Sequence, residues 1–169
     1  MSQPSRFFYD FFDTPIGPLW MVSSQAGLSF LLWRRSHSDL LSEMKQKTGC
    51  LPQKDSKYSA PWQILLRRYF SGEPVSFHVP IAFLEGSAFQ QAVWRALMDI
   101  PYGEVRSYQS IADQLDKRGG ARAVGRACGK NPLPIVVPCH RVIRKDGAIG
   151  GYTGGVDIKN RLLAIEGIL

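Results

Sequence analysis

The segment from Asn131 to Ile143, NPLPIVVPCHRVI, carries the residues best suited to covalent chemistry. Its three prolines fix their own φ angles and bias each preceding residue toward extended geometry, so the backbone around Cys139 is expected to be rigid. A nucleophile benefits from such a support, because its reacting atom must be held in place. We predict a short buried strand over 135–137, with Cys139 at its end as a candidate nucleophile.

A cysteine needs activation, because a thiol with a pKa of about 8.5 is only a few per cent thiolate at neutral pH. His140 is a candidate base, and Arg141, Arg144 and Lys145 add positive charge. Neighbouring side chains of a strand point apart, so proton transfer from Cys139 to His140 requires a water molecule or a bend. The alternative interpretation is that Cys139 is a small buried apolar residue.

Two features downstream belong to the same candidate site. Five glycines between Gly147 and Gly155 surround Tyr152 and Thr153. They form either a flexible loop or one whose backbone closely approaches a flat ligand, and no Gly-Lys-Ser/Thr follows that would indicate a phosphate-binding loop.

Glu166 lies among apolar residues of an amphipathic helix that we predict over 157–169. A buried carboxylate needs a partner, for which His140 is a candidate. A surface salt bridge is the alternative.

The preceding half of the chain shows no catalytic arrangement, and a boundary near Glu85–Ser87 predicts domains over 1–86 and 87–169. The elements predicted in the first domain are a β-meander over 7–33, a helix around Leu40–Met44 capped at Ser38–Asp39, a helix over 62–70 and a short strand over 77–81. The second domain begins with an amphipathic helix over 89–97. Two short helices follow, 108–115 capped by Ser107 and 121–129, with a glycine-containing turn between them that suggests a helix-turn-helix.

The composition fits a soluble intracellular protein. The chain has 169 residues, 44% of them hydrophobic and 21% charged, without the ~20-residue apolar stretch of a membrane span. Asp10 and Asp13 interrupt any signal peptide that begins at Met1. Three cysteines at spacings that match no zinc site indicate a reducing compartment, the cytoplasm.

The net charge is +7, and the window from Lys117 to Lys145 holds eight basic residues and no acidic one. Such a concentration of charge attracts a polyanion such as nucleic acid. The alternative is a solvated basic face.

The chain resembles the O6-alkylguanine-DNA alkyltransferases, which repair DNA by accepting the alkyl group on a cysteine. The resemblance covers roughly residues 87–169. It rests on Pro138-Cys139-His140-Arg141-Val142, Tyr102-Gly103-Glu104-Val105 with Ser107-Tyr108, Ala121-Arg122-Ala123-Val124-Gly125, Asn131-Pro132, Gly151-Tyr152-Thr153-Gly154-Gly155 and Leu162-Leu163 with Glu166-Gly167.

The resemblance implies a role for each catalytic candidate. Cys139 attacks the alkyl carbon on guanine O6 and keeps the group as a thioether, which makes the protein a single-turnover methyltransferase. His140 serves through a water molecule as base, and Glu166 orients it. Asn131 joins the helix-turn-helix to the active-site strand, and Tyr108 donates a proton toward the departing guanine.

The resemblance also implies a substrate pocket and a DNA-binding helix. Pro134, Val142 and Tyr152 form pocket walls, while Thr153 contacts O6 of guanine. The damaged nucleotide must be flipped out of duplex DNA, and Arg122 fills the gap in the stack. This helix enters the minor groove without strong sequence preference, and its DNA-binding residues are Ala121, Arg122, Ala123, Gly125 and Arg126. Tyr108 is expected to contact both the DNA and the substrate.

The implied fold class is α+β. A small N-terminal sheet with helices resembles ribonuclease H, and a C-terminal helical domain carries a winged-helix-like helix-turn-helix. We expect no metal, no cofactor and no membrane association, with duplex DNA as the partner of a monomer. O4-alkylthymine is a possible second substrate. Two other classes stay open: a helix-turn-helix protein in which Cys139 is inert, and a hydrolase that turns over with Cys139, His140 and Glu166.

Overall fold

The computed structural model describes residues 6–169, and the chain divides between Leu84 and Glu85 into two compact units. Residues 1–5, the start of the segment that the prediction about a signal peptide concerns, lie outside the described part. Within residues 6–169 no helix has the length and apolar character needed to span a membrane.

The first unit is built on a four-stranded sheet. β1 (Phe7–Thr14), β2 (Gly17–Ser24) and β3 (Gly27–Trp33) form the predicted antiparallel meander, and the short β4 (Gln53–Lys54) pairs parallel to β1. The strand order is β3-β2-β1-β4. Two helices accompany the sheet, and a 3-10 turn at Ser56–Tyr58 precedes the second: α1 (His37–Thr48) and α2 (Ala60–Phe70).

α1 is fixed to the sheet by Leu40 and Met44, which lie four residues apart on one helix face and join the buried cluster of Phe7, Val22 and Phe30. The predicted cap of this helix is wrong by two residues. Ser36 is the N-cap: its hydroxyl accepts a bond from Asp39 N at 3.1 Å, and the Asp39 carboxylate accepts one from Ser36 N at 3.2 Å. This reciprocal capping box satisfies two backbone donors at once, which a cap at Ser38 could not do.

The predicted strand over 77–81 is also wrong, because only Ile81 forms a bridge, to Leu28. Pro80 has no N–H to donate, so its contribution is a carbonyl that accepts from Leu28 N at 3.0 Å. The segment therefore contacts the sheet edge without adding a strand.

The second unit is mainly helical. Its elements are α3 (Ala88–Met98), β5 (Arg106–Ser107), α4 (Tyr108–Gln114), α5 (Ala121–Gly129), a 3-10 turn at Cys139–Arg141, β6 (Val142–Ile143) and α6 (Val156–Ile165). α3 and the helix pair α4–α5 match the prediction, and Ser107 caps α4 as expected. β5 and β6 pair in parallel. Together the two units confirm the predicted α+β fold class.

The last helix is shorter than the predicted 157–169. Gly167 N donates to Ala164 O at 3.0 Å and Ile168 N donates to Leu163 O at 2.9 Å, which closes the helix end. Glu166 therefore lies at the C-cap of α6 instead of within the helix.

Gly27 is a turn position of the first unit that has no room for a side chain. Its φ is +130°, and a Cβ there would lie 2.1 Å from Pro80 O. We expect Gly27→Ala to lower the free energy of unfolding by about 3 kcal/mol or more, because backbone strain and a steric clash combine. The control Gly17→Ala has φ +119° with no atom within 4 Å, so only strain of about 1 kcal/mol applies. Urea denaturation measures both, and equal losses would contradict the clash.

Candidate functional site

The second unit contains a cleft of about 1170 Å³ with the Cys139 side chain in its wall. The elements that line it are the start of α4, one face of α5, the 3-10 turn and the loop between β6 and α6. The lining residues are Tyr108, Gln109, Ala121, Arg122, Gly125, Arg126, Cys128, Gly129, Cys139, Arg144, Lys145, Asp146, Gly150, Gly151, Tyr152 and Thr153. The cleft thus gathers a nucleophile, two tyrosines and several cations from segments that are distant in sequence.

The chain that carries Cys139 is a buried turn, and the predicted strand over 135–137 is wrong. Ile135 has φ +76°, and Val137 N donates back to Leu133 O at 2.8 Å. The proline-rich segment forms a turn instead, because the positive φ of Ile135 reverses the chain. Cys139 then begins a 3-10 turn, so the alternation of strand side chains does not separate it from His140.

Asn131 fixes the sulfur of Cys139. Its Nδ2 donates to Cys139 Sγ at 3.0 Å and to Val137 O at 2.7 Å, and its Oδ1 accepts from Leu133 N at 2.9 Å. The side-chain amide of Asn131 therefore binds the backbone of the turn at two points and also the Cys139 sulfur. An N–H donor to sulfur favours the thiolate over the thiol.

Burial raises the pKa of the Cys139 thiol, and the Asn131 hydrogen bond and the positive charge of Lys159 act in the opposite direction. Because burial is the largest effect, the resting sulfur keeps its proton at neutral pH. A base is therefore needed to form the thiolate.

His140 and Glu166 form a buried pair. His140 Nε2 lies 2.6 Å from Glu166 Oε1, and both side chains are excluded from solvent. Burial is the largest effect on His140 and lowers its pKa, so the ring is neutral at neutral pH. Nε2 then carries the proton that it donates to the carboxylate, and Nδ1 is the unprotonated nitrogen that can act as a base.

Glu166 is held as an anion by further donors. Arg141 donates to it through Nε at 2.8 Å and Nη2 at 3.1 Å, and Gly103 N donates at 3.2 Å. Burial alone raises the pKa of Glu166, but the hydrogen bonds from His140 and Arg141 outweigh it and lower this pKa to about 2. The carboxylate is therefore ionised throughout the physiological range.

Arg141 has a structural role that sequence reasoning missed, since it was counted only as a source of positive charge. Its guanidinium is buried, grips both oxygens of Glu166, and also donates to Ile100 O at 2.6 Å. The available signal was an arginine next to His140 in an otherwise apolar segment.

Lys159 was also missed, although it is fully buried. It precedes Leu162 and Leu163 by three and four residues, so the helical period places it on their inward face.

Tyr108 is the first residue of α4 and lines the cleft. Burial, followed by the charges of Cys128 and Cys139, raises its pKa to about 12, so the phenol is a proton donor. The loop opposite approaches it closely at Gly150, where a Cβ would lie 3.3 Å from the Tyr108 hydroxyl. Thr153 joins this loop to α5 by donating to Gly129 O at 2.9 Å.

α5 presents one face to the cleft. Ala121, Arg122, Gly125 and Arg126 line it, whereas the predicted DNA-binding residue Ala123 is not among the lining residues, because it falls on a different side of the helical period.

Two of the predicted pocket walls do not line the cleft. Pro134 is buried in the turn before Cys139, and Val142 is fully buried in β6. Both side chains are taken up by the core, so they support the site from behind. His140, Glu166 and Asn131 also lie behind the cleft surface, and they act through Cys139 or through each other. Among residues 6–169, no three His, Cys, Asp or Glu side chains are arranged to hold a metal ion.

The free energy of unfolding depends on pH in the acid range, because Glu166 is buried against His140 and Arg141. A carboxylate whose pKa falls from 4.5 to about 2 on folding stabilises the fold by about 3 kcal/mol above pH 4.5, and this contribution is lost as the pH falls toward 2. We expect Glu166→Gln to remove that part of the acid dependence. At pH 7 it should cost about 3–5 kcal/mol, because Arg141 is left buried without a counter-charge.

Urea denaturation between neutral pH and pH 2 measures both effects. The control is Glu73→Gln, which changes a carboxylate exposed to solvent and paired with Arg68. An acid dependence that is the same in Glu166→Gln and in the unaltered chain would contradict the role of Glu166.

Comparisons with known proteins agree with this arrangement. The model of the 6-O-methylguanine DNA methyltransferase ribonuclease-like domain matches residues 7–83, and that of the DNA binding domain of the same proteins matches residues 88–168.

Two named relatives cover nearly the whole chain. A methylated-DNA--protein-cysteine methyltransferase of Methanosarcina barkeri is 40% identical over 94% of this chain and 96% of its own length. One from Mycobacterium bovis is 43% identical over 94% and 91%. The crystal structure of Mycobacterium tuberculosis OGT in complex with DNA superposes with a TM-score of 0.82 at 42% identity, over 94% of this chain and 92% of that one. The family resemblance is thereby confirmed: the chain belongs to the methylated-DNA–protein-cysteine methyltransferases, the O6-alkylguanine-DNA alkyltransferase family.

Proposed function

We propose that this chain repairs DNA by moving the alkyl group of an O6-alkylguanine irreversibly onto Cys139. The observation that carries the proposal is the placement of the Cys139 sulfur in the wall of an open cleft, held by Asn131 at 3.0 Å, next in the chain to a neutral histidine oriented by a carboxylate. The relatives are named for transfer from methylated DNA to a protein cysteine, which supports the same reaction here.

The transfer is a displacement at carbon. The thiol proton of Cys139 passes through a water molecule to Nδ1 of His140, and the imidazolium is stabilised by the Glu166 carboxylate. The Sγ–carbon bond forms as the carbon–O6 bond breaks. Guanine leaves as an anion and takes a proton from Tyr108, whose pKa of about 12 keeps the phenol protonated until then.

The product explains a stoichiometric reaction. A thioether at Cys139 has no labile bond that water can cleave under physiological conditions, so the nucleophile is not regenerated. Each molecule then repairs one lesion. This separates the proposal from a hydrolase with the same three residues, in which water cleaves a thioester at Cys139, the acid leaves and the free thiol is regenerated.

The cleft also fits a flipped nucleotide from duplex DNA. Arg122 and Arg126 on α5 face Arg144 and Lys145 on the loop, so cations line two sides of the cleft in which Cys139 lies. They can neutralise the phosphates on either side of an extruded base. Arg122 is exposed near the start of α5, where it can fill the gap that the base leaves. Thr153 and Tyr152 then contact the base, and O4-alkylthymine fits the same chemistry.

α5 suits contact with DNA that does not depend on base sequence. Its cleft face carries the small residues Ala121 and Gly125, each followed by an arginine, which permits close approach to a groove. Binding through the minor groove is consistent with a repair protein, since that groove distinguishes sequences poorly.

Intact-mass spectrometry tests the reaction. After mixing with a duplex that contains O6-methylguanine, we expect the protein to gain the mass of one methylene group, on the peptide with Cys139, up to one equivalent. Cys139→Ala should gain nothing, whereas the control Cys128→Ala, which alters the other cysteine of the cleft, should still react. Turnover beyond one equivalent without a lasting mass change would favour the hydrolase, and an unmodified protein that still binds DNA would favour an inert cysteine.

A second test concerns Arg122. Because the base must leave the stack, Arg122→Ala should slow repair of duplex DNA by about tenfold or more, while the reaction with free O6-benzylguanine changes little. Arg161→Ala removes an exposed arginine outside the cleft and serves as the control of equal charge. Single-turnover kinetics measure both substrates. Equal losses on duplex and free base would assign Arg122 a role other than filling the stack.

A further inference from the structure

Lys159 of α6 takes no part in the mechanism above, although few lysines in proteins are buried so completely. An ammonium group in the interior loses the hydration that stabilises its charge, so it needs partners that compensate. The identity of these partners indicates what the residue does.

Two backbone carbonyls fix the ammonium group. Lys159 Nζ donates to Val142 O and to Ile149 O, both at 2.6 Å. Val142 follows Cys139 by three residues in β6, and Ile149 leads into the loop that carries Tyr152 and Thr153. The same nitrogen lies 5.9 Å from the ring centroid of Tyr108. Lys159 thus ties the glycine-rich loop to the strand beside the nucleophile.

Lys159 has no carboxylate as an ion-pair partner among residues 6–169. Glu166, seven residues further along the chain, is engaged by His140 and Arg141. The groups near Lys159 that can become negative are the thiols of Cys139 and Cys128, and its positive charge lowers the pKa of both against the larger effect of burial.

We propose that Lys159 is a positioning residue for the alkyl transfer. It holds the glycine-rich loop against the strand that follows Cys139, and from this fixed place its ammonium group stabilises the Cys139 thiolate as it forms. The proposal deepens the proposed function and rests on it for the identity of the nucleophile. Burial lowers the pKa of Lys159, but negative charge on Cys139 and Cys128 raises it, so the ammonium group holds its proton as the thiolate forms and the thiol proton goes to His140.

The other groups around the sulfur supply no comparable charge. They are Tyr108 of α4, Cys128 of α5, Asn131, His140 and Tyr152. At neutral pH His140 is neutral, because burial lowers its pKa, and Tyr108 is neutral, because burial raises its pKa to about 12. Arg141 is paired with Glu166. The cations of the cleft rim, Arg122, Arg126, Arg144 and Lys145, are exposed, so solvent and salt screen them.

Alkylation by iodoacetamide without DNA tests the coupling directly. This small reagent reacts with the thiolate, so the rate at Cys139, followed by peptide mass spectrometry across the neutral to alkaline range, reports the pKa of that thiol. We expect Lys159→Met to raise the apparent pKa by about one unit, which slows alkylation about tenfold at neutral pH. On the alkaline plateau the rates should converge, because the thiolate is then fully formed in both proteins.

Two matched variants separate charge from packing. Lys117→Met removes an exposed lysine of the second unit that does not line the cleft, and it should leave the pH profile unchanged. Lys159→Arg keeps a permanent charge and should give an apparent pKa no higher than that of the unaltered chain. A folded Lys159→Met protein with an unshifted profile would overturn the proposal. If Lys159→Met does not fold, a raised pKa in Lys159→Arg would overturn it.

The outcome is independent of the proposed function. A chain that takes no methyl group from damaged DNA but shows the shifted profile would contradict the repair reaction and leave the coupling of Lys159 to Cys139 intact. A chain that repairs DNA but shows an unshifted profile in Lys159→Met would support the repair reaction and contradict the coupling of Lys159 to Cys139.

Discussion

The arrangement of the second unit depends on a carboxylate that is ionised in the protein interior. Glu166 is kept there by His140, by both prongs of Arg141 and by the amide of Gly103. These donors come from two separate segments of the chain and Glu166 comes from a third, so the charge can be buried only when all three segments have assembled. Because the buried Glu166 carboxylate needs these donors, His140 must keep its Nε2 on Glu166. The other ring nitrogen, Nδ1, then points in a fixed direction.

Burial also governs the ionisation of the Cys139 thiol. Burial opposes ionisation of Cys139, and it also excludes the water that would weaken each nearby interaction. Asn131 and Lys159 favour the thiolate, while the His140–Glu166 pair offers a base that is neutral at rest. The thiol therefore ionises only when its proton can be taken up.

Sequence reasoning located most of this site, because Cys139, His140 and their flanking prolines are contiguous and their chemistry is local. The helix pair α4–α5 was also predictable, since Ser107, the glycine-containing turn and the small residues of α5 are short-range signals. Sequence reasoning failed where contacts between distant residues determine the local structure. The turn at Ile135 replaced a predicted strand, because Asn131 and Leu133 satisfy its backbone. The extended segment at 77–81 adds no strand, because Pro80 offers the sheet only a carbonyl.

The sequence by itself determined the fold class, the family and the excess of positive charge, and it named the candidate nucleophile, because all of these depend on residue types and short spacings. Only the tertiary structure decided which charges are buried and with whom. In the sequence alone, Arg141 and Lys159 resemble ordinary surface cations. In the structure Arg141 is hydrogen-bonded to Glu166, and Lys159 is hydrogen-bonded to two backbone carbonyls. The physical reason is that the energy of a charge depends on its solvation and its partners in space, and neither is a property of the residue alone.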